Sequence, residues 1–387
     1  MRADIAIVGG GIVGSSIAYH LALSGAAGRV LVVERDPTYE HAATPRSNGG
    51  IRRLFSREQN IQMATFGLQF YRDFEQNMAL GEDLAPISFA RQGYLFVSDA
   101  GGSAQMQRNF RLQEAMGVEV ELMDANALVQ RFPSISPDGI TLAVLSAQDA
   151  WIDPHAALLG FRNKARELGV EYVNAAVTGV RLADTRIAAA ELDKGQIIEA
   201  DTFVNACGAW CAEFATMVGI DLPVQPMSRE SYFLRAASQL EPLPFIKTES
   251  DLAFRPEGQG YVGGMPDWKQ QPGWDFAISQ NYFEEVVWPA LAARIPAMQE
   301  LRLERSWRGH YARSEFDLSP ILGRAAHGPS NFVMANGFSG HGIMHAPAAG
   351  RGIAELLLHG AFQTIDLSCF DFGRIHANKP FRELGIV

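Results

Sequence analysis

The sequence predicts an α/β chain with a second, α+β portion interleaved through it, and three observations predict this. An apolar strand, a glycine-rich turn and a helix open the chain at residues 5–24. A second strand, glycine turn and helix stand at residues 331–358. Between them short strands and helices alternate without internal repeat or low-complexity linker, so the two domains are interleaved rather than joined like beads.

Composition bounds the rest. A length of 387 residues with 47% apolar side chains supports large cores and two or three domains. A charged fraction of 20% with 37 glycines describes a compact, loop-rich chain rather than a disordered one. The formal net charge of −10, with no basic tract, argues against nucleic acid as a partner. Cys207, Cys211 and Cys369 cannot build a disulfide framework, and Cys207-x-x-x-Cys211 lacks zinc spacing and a histidine set. No metal is expected, and the thiols read as buried in a reducing compartment. Met1 leads straight into the first strand and no apolar run is long enough to span a membrane, so the expected location is cytoplasmic.

Residues 5–8 read as a buried parallel strand, followed by Gly9-x-Gly11-x-x-Gly14 and a helix to Ser24. Gly9 allows the turn, Gly11 admits a pyrophosphate to the backbone, and Gly14 lets the helix pack on the strand. The helix N-terminus offers unpaired N–H groups to phosphate. Residues 30–34 form the second strand, and Glu34 at its end stands where an acid receives a ribose 2′-hydroxyl. A bound dinucleotide follows, and Glu34 would repel a 2′-phosphate, which disfavours NADP. In the loop from Arg35 to Gly50, small residues run up to Arg46, Ser47, Asn48 and Gly49; this suits a backbone passing a flat ligand, or else a flexible surface loop.

Residues 60–77 have helical spacing with a broad apolar face, preceded by Arg52, Arg53 and Arg57. Strand signals at 87–97 and 140–145 flank a helix at 108–116. Residues 122–128 read as an Asp-capped short helix stopped by Pro133. His155 reads as a cap of the helix 156–168, and strand 170–174 returns to the βαβ pattern. Strand 202–205 runs into Ala206, Gly208 and Trp210, small residues at a strand end where ligands sit in parallel sheets. Arg229 lies inside a strand at 222–234, 252–264 reads as a hairpin, 282–295 as a helix and 307–311 as a strand. Finally Gly337, Gly340 and Gly342 turn a strand at 331–335 into a helix that Pro347 starts. That helix could aim its positive end at a redox-active ring. His341 is either a packing residue of that turn or a donor to such a ring.

Taken together these stretches resemble the D-amino acid oxidase (DAO) superfamily of FAD enzymes, which includes glycine and sarcosine oxidases, D-amino acid dehydrogenases and dimethylglycine dehydrogenase. The matching parts are the first turn with Glu34, Thr44-Pro45-Arg46-Ser47, residues 205–210, Gln225-Pro226-Met227-Ser228-Arg229 and residues 337–342, in family order over nearly the whole chain. Within the family, Val32-Val33-Glu34-Arg35-Asp36-x-Thr38-Tyr39 and Trp307-x-Gly309-x-Tyr311 are similar to a mitochondrial FAD-dependent oxidoreductase-domain branch linked to respiratory complex I assembly.

The resemblance implies a Rossmann-like FAD-binding domain of the glutathione reductase-2/DAO type, made of residues 1–80, 146–221 and 318–387. It implies an interleaved mixed-sheet substrate domain of residues 81–145 and 222–317. Ile12, Val13, Arg35, Val177 and Gly309 join the cofactor wall, with Ile343 and Met344 at the second turn. Arg229 matches an arginine that pairs a substrate carboxylate, Tyr311 falls over the ring, and Arg52 lies near a substrate-loop arginine; His341 completes the catalytic set. Gly309 stands where monomeric sarcosine oxidases link flavin through cysteine, so FAD is expected to be noncovalent. Met344 replaces their carboxylate-binding lysine and Val262 the lysine tied to oxygen activation, which favours a dehydrogenase over an oxidase. The implied reaction takes hydride from the C–H beside nitrogen of a secondary amine or amino acid to flavin N5, leaving an imine that water hydrolyses. The electron acceptor stays open between a quinone, an electron-transfer protein and O2. A 2-hydroxy acid dehydrogenase on the same fold, and a non-catalytic flavoprotein serving as an assembly partner, are the alternatives.

Overall fold

The computed structural model describes residues 1–325 and 327–386. Among these, two large sheets lie one above the other and share one long cavity. The lower sheet has the order Ile321–Arg324, Phe332–Asn336, Ile197–Asn205, Arg2–Val8, Val30–Glu34, Glu171–Asn174. Its central four pairings are parallel; Ile321–Arg324 returns antiparallel, and Val177–Ala183 and Arg186–Leu192 form a meander off Ile197–Asn205. Both faces of these strands are covered, which is why they read as unbroken apolar runs. Ile5, Ile7 and Val32 face one core, while Ala6, Val8, Leu31 and Val33 face another. The first core is roofed by four helices, Ile12–Ser24, Glu58–Arg72, Pro154–Glu167 and Gly342–His359. Two glycines set their spacing. A Cβ on Gly350 would sit 2.1 Å from Ser16 Oγ, and one on Gly67 would sit 2.1 Å from the Met344 carbonyl oxygen.

The upper sheet runs Leu301–Ser314, Val224–Ala236, Gly260–Gly264, Ala253–Glu257, Phe245–Thr248, Tyr94–Ser98, Leu142–Ser146, Val120–Asp124. It is antiparallel except where Phe245–Thr248 lies parallel to Tyr94–Ser98. Its period-2 alternation divides two faces. Leu95, Val97, Tyr232, Leu234, Ile246 and Phe254 pack outward against Phe283, Val287 and Leu291. Tyr94, Phe96, Phe245, Arg229 and Tyr311 belong to the other, inward face, as their registers require.

Several expected elements shift. The stretch 60–77 is two helices, Glu58–Arg72 and Phe74–Asn77, separated at Asp73. Leu122 and Met123 lie in a strand, Val120–Asp124, and Asp124 caps the helix Ala125–Arg131 by accepting from Ala127 N–H at 2.8 Å. Asp153, not His155, caps Pro154–Glu167; its carboxylate accepts from His155 and Ala156 N–H at 2.9 and 3.0 Å. Pro347 does not start the last long helix but lies inside it. A proline there donates no hydrogen bond to the carbonyl four residues back. That carbonyl, Ile343, instead accepts from the buried Tyr71 hydroxyl at 2.8 Å, so the helix continues. Cys211 is buried as expected, whereas Cys207 and Cys369 are only partly so. No helix among the described residues is long and apolar enough to cross a membrane. Nor is there among them a group of three or more His, Cys, Asp or Glu placed to hold a metal.

Candidate functional site

A cavity of about 550 Å³ runs from the C-terminal edge of the lower sheet to the inward face of the upper one. It begins at the first turn. Gly9 has φ +99°, and a Cβ there would lie 2.4 Å from the Ala206 carbonyl oxygen. A Cβ on Gly14 would lie 1.9 Å from the Gly9 oxygen, so this glycine packs the helix down and does not itself face the cavity. Gly11 is different, because nothing stands within 4 Å of its would-be Cβ. The helix it precedes has no side-chain cap, leaving the first-turn amides at Ile12 and Val13 directed at the cavity. Glu34 accepts from Gly10 and Asp36 N–H, each at 2.8 Å, and burial raises its carboxyl pKa. Each oxygen keeps further acceptor capacity toward the cavity.

The polar wall fits a dinucleotide on direct evidence. Tyr39 Oη, Asn48 Oδ1 and Asn336 Oδ1 are buried without a protein partner, and all three residues line the cavity. Buried polar atoms are normally paired, so three orphans along one cavity mark where a ligand supplies the partners. Arg35, Ser47, Val177, Ala206, Gly208 and Trp210 complete this end. Arg46 also lines it, but its guanidinium is engaged by the Glu40 carbonyl at 2.9 and 2.7 Å.

The other end is made by the second turn and the upper sheet. Gly337 and Gly340 have φ of +70° and +93°, and the helix Gly342–His359 starts uncapped with Gly342 and Ile343 on the wall. Above them Arg229 stands opposite Gly309 in the strand register, with Tyr311 next on the same face. A Cβ on Gly309 would come within 2.6 Å of Arg46 Cβ, so this position is held small by packing. The Arg229 guanidinium lies 5.1 Å from the Trp268 ring centre and 5.2 Å from that of Tyr311. Burial raises the Tyr311 pKa, keeping it a neutral hydroxyl.

The structure therefore gathers nearly all of the expected residues on one cavity and leaves five off its wall: Gly14, Gly49, Arg52, His341 and Met344. Gly49 packs under the Ile152 carbonyl, and Met344 is buried in the helical core. Arg52 and His341 are brought together behind the second turn. Arg52 donates to the Leu54 carbonyl at 2.8 Å, lies 3.0 Å from His341 Nε2 and sits 4.2 Å above the Phe55 ring. Burial, then Arg52 and His345, hold the His341 imidazole well below its usual pKa, so Nε2 is the acceptor. Packing, one of the two readings open for His341, is what this geometry supports. Sequence reasoning did not place Tyr39, His310 or Asn336 in the site, and all three line the cavity. Tyr39 has φ +58°, a strained backbone that no sequence pattern announces.

Comparison with known proteins agrees with this geometry. The model of the FAD dependent oxidoreductase family (DAO) matches residues 4–356. The chain is 36% identical to FAD-dependent oxidoreductase domain-containing protein 1 of Xenopus laevis, over 100% of this chain and 85% of that one. It is 26% identical to the 4-methylaminobutanoate oxidase (formaldehyde-forming) of Paenarthrobacter nicotinovorans, over 97% of this chain and 46% of that enzyme. The crystal structure of L-proline dehydrogenase from P. horikoshii superimposes with a TM-score of 0.88 at 27% identity, covering 98% of this chain and 99% of that one. A dinucleotide wall with orphaned acceptors, a second turn and a roof thus coincide with a family match over residues 4–356: the chain belongs to the DAO family of FAD-dependent oxidoreductases.

Proposed function

We propose that the protein oxidises the C–N bond of a carboxylate-bearing secondary amine or N-alkyl amino acid, with noncovalent FAD. The observation that carries this is Arg229. It reaches the cavity from the roof, and among the described residues its one hydrogen bond runs from Nη1 to the carbonyl of its neighbour, Ser228, at 2.9 Å. Five N–H donors in a planar fork are far more than that bond uses, and a carboxylate takes two at once. Bound FAD supplies the chemistry of accepting a hydride from the carbon beside nitrogen. The chain's own residues do the rest. Arg229 holds the carboxylate, Tyr311 offers a neutral O–H beside it, and the roof keeps bulk water from the reacting carbon. The two uncapped helices direct positive ends into the cavity, where negative charge is stabilised.

Proline and 4-methylaminobutanoate, named for two relatives, are both carboxylates carrying a secondary amine. Gly309, pressed by Arg46, supports noncovalent attachment, and the family resemblance, with valine at 262 in place of a lysine, favours a dehydrogenase, although Val262 itself lies off the cavity wall. The test is anaerobic. The yellow protein is mixed with proline, N-methyl amino acids, D- and L-amino acids and 2-hydroxy acids while absorbance near about 450 nm is followed. Bleaching by a secondary amine, and slow recolouring in air, are expected. Arg229→Ala should raise KM about a hundredfold or more with FAD retained. Bleaching by 2-hydroxy acids alone, or an unchanged KM, would overturn the proposal.

A further inference from the structure

We infer that Trp268 is a positioning residue for the carboxylate anchor, a role that rests on Arg229 being that anchor. Trp268 is 62% exposed, the most exposed of the large apolar side chains. Its ring nevertheless stands over a cation, with the Arg229 guanidinium 5.1 Å from its centre. The Tyr311 ring lies 5.2 Å from the same guanidinium, so two aromatic rings meet the one cation and form its clasp. Each ring attracts the cation through its π face, and together they restrict its rotation. A long arginine otherwise loses rotamer entropy whenever it grips a ligand. The clasp makes that loss in advance, leaving the fork's edge for a carboxylate.

Trp268 is itself placed by a loop tied at several points. Tyr282 Oη donates to the Pro266 carbonyl at 2.8 Å, and Gly273 N–H donates to the Pro226 carbonyl at 2.8 Å. Asp275 N–H donates to His310 Nε2 at 3.0 Å, and buried Arg308 pairs with both Asp275 and Glu230. Farther along, Trp274 stacks on Trp210 with ring centres 4.4 Å apart. The loop therefore spans from the dinucleotide end of the cavity to the anchor, and Trp268 is its contact with the anchor. Its effect is on recognition of the carboxylate, not on the carbon that reacts.

The experiment titrates FAD-loaded protein with benzoate, and in parallel with neutral benzamide, following the flavin absorbance and the melting temperature. Trp268→Ala should weaken benzoate about tenfold, and Trp268→Phe should keep it within about threefold of the unaltered protein. Benzamide affinity and melting temperature should not move, because the ring is exposed. In an Arg229→Ala background the Trp268 change should add nothing. Benzoate bound as tightly by Trp268→Ala as by the unaltered protein, with Arg229→Ala weakened, overturns the clasp and leaves the anchor standing. Equal loss of benzamide and benzoate in Trp268→Ala also overturns it, reducing Trp268 to a wall. If the unaltered protein does not bind benzoate, or Arg229→Ala binds it undiminished, the anchor falls and the clasp with it.

Discussion

At residues 9–14 the passage from strand to helix is closed by sterics, with added carbons on Gly9 and Gly14 each meeting backbone oxygen at 2.4 and 1.9 Å. At residues 337–342 the same passage is made with room to spare: a Cβ on Gly337 meets nothing closer than 3.3 Å, and one on Gly342 nothing closer than 3.6 Å. The second turn needs glycine at 337 and 340 for backbone angle, not for space. It also depends on a side chain from elsewhere, Tyr71, to satisfy the carbonyl that Pro347 abandons. One turn is thus tight and intolerant of added atoms, whereas the other is roomier and needs Tyr71 to complete it.

The largest effect should separate them at once. Gly14→Ala forces a carbon into the Gly9 oxygen and should cost about 3 kcal/mol or more, read as lost soluble protein and lost FAD; a melting temperature close to the unaltered protein's would dissolve the contrast. Gly11→Val, in open space, should leave the apoprotein's melting unchanged within about 1 kcal/mol yet abolish FAD retention through gel filtration. Yellow protein surviving that column would mean phosphate does not approach there.

Acid should act on the second turn itself through His341 and His345, and on the first only at the far end of its helix, where burial also pushes the His20 pKa down to about 3. His341 is held well below its usual pKa, and His345 down to about 3, chiefly by burial. Their folded pKa values lie below the unfolded value of about 6.5, so the unfolded chain binds more protons as pH falls from there. Stability is then lost by up to about 1.4 kcal/mol per pH unit for each histidine. Glu34, at the first turn, has its pKa raised by burial, so it takes its proton earlier in the folded state and loses nothing on acidification. Hydrogen exchange at about pH 5 should quicken near residue 341 before residue 12; the reverse order contradicts the assignment. Smallest is Tyr71→Phe, which orphans the Ile343 carbonyl and should lower stability by about 1–3 kcal/mol with FAD retained. No loss by thermal melting would show that the carbonyl finds another partner.

These cases also show what the sequence can carry. The lower sheet was legible because burial on both faces gives continuous apolar runs, and Gly9, Gly11, Gly14 and Glu34 have a spacing tied to a ligand. Strand Val120–Asp124 was not, since only Met123 in it is buried and the pattern is mostly polar. Pro347 departs from its expected place for a definite reason: the rule that proline starts helices is local, and Tyr71 overrides it through the Ile343 carbonyl, 272 residues along the chain from Tyr71. Arg52 and His341 had chemistry suited to a site but sit behind it, held by Leu54, Phe55 and each other. Residue type announced them, and only packing could place them.

The interleaving of the two sheets sets the order in which the molecule can be assembled. Arg2–Val8 needs Ile197–Asn205 at its side, and that strand needs Phe332–Asn336. The helix Ile12–Ser24 is closed only when Gly350 arrives against Ser16. The first turn is therefore translated well before residue 350 but waits for it before its surroundings exist. Pairings this distant along the chain are slow to form. A ribosome-bound nascent chain stalled before the last helix should hold no flavin, however complete its glycine signature.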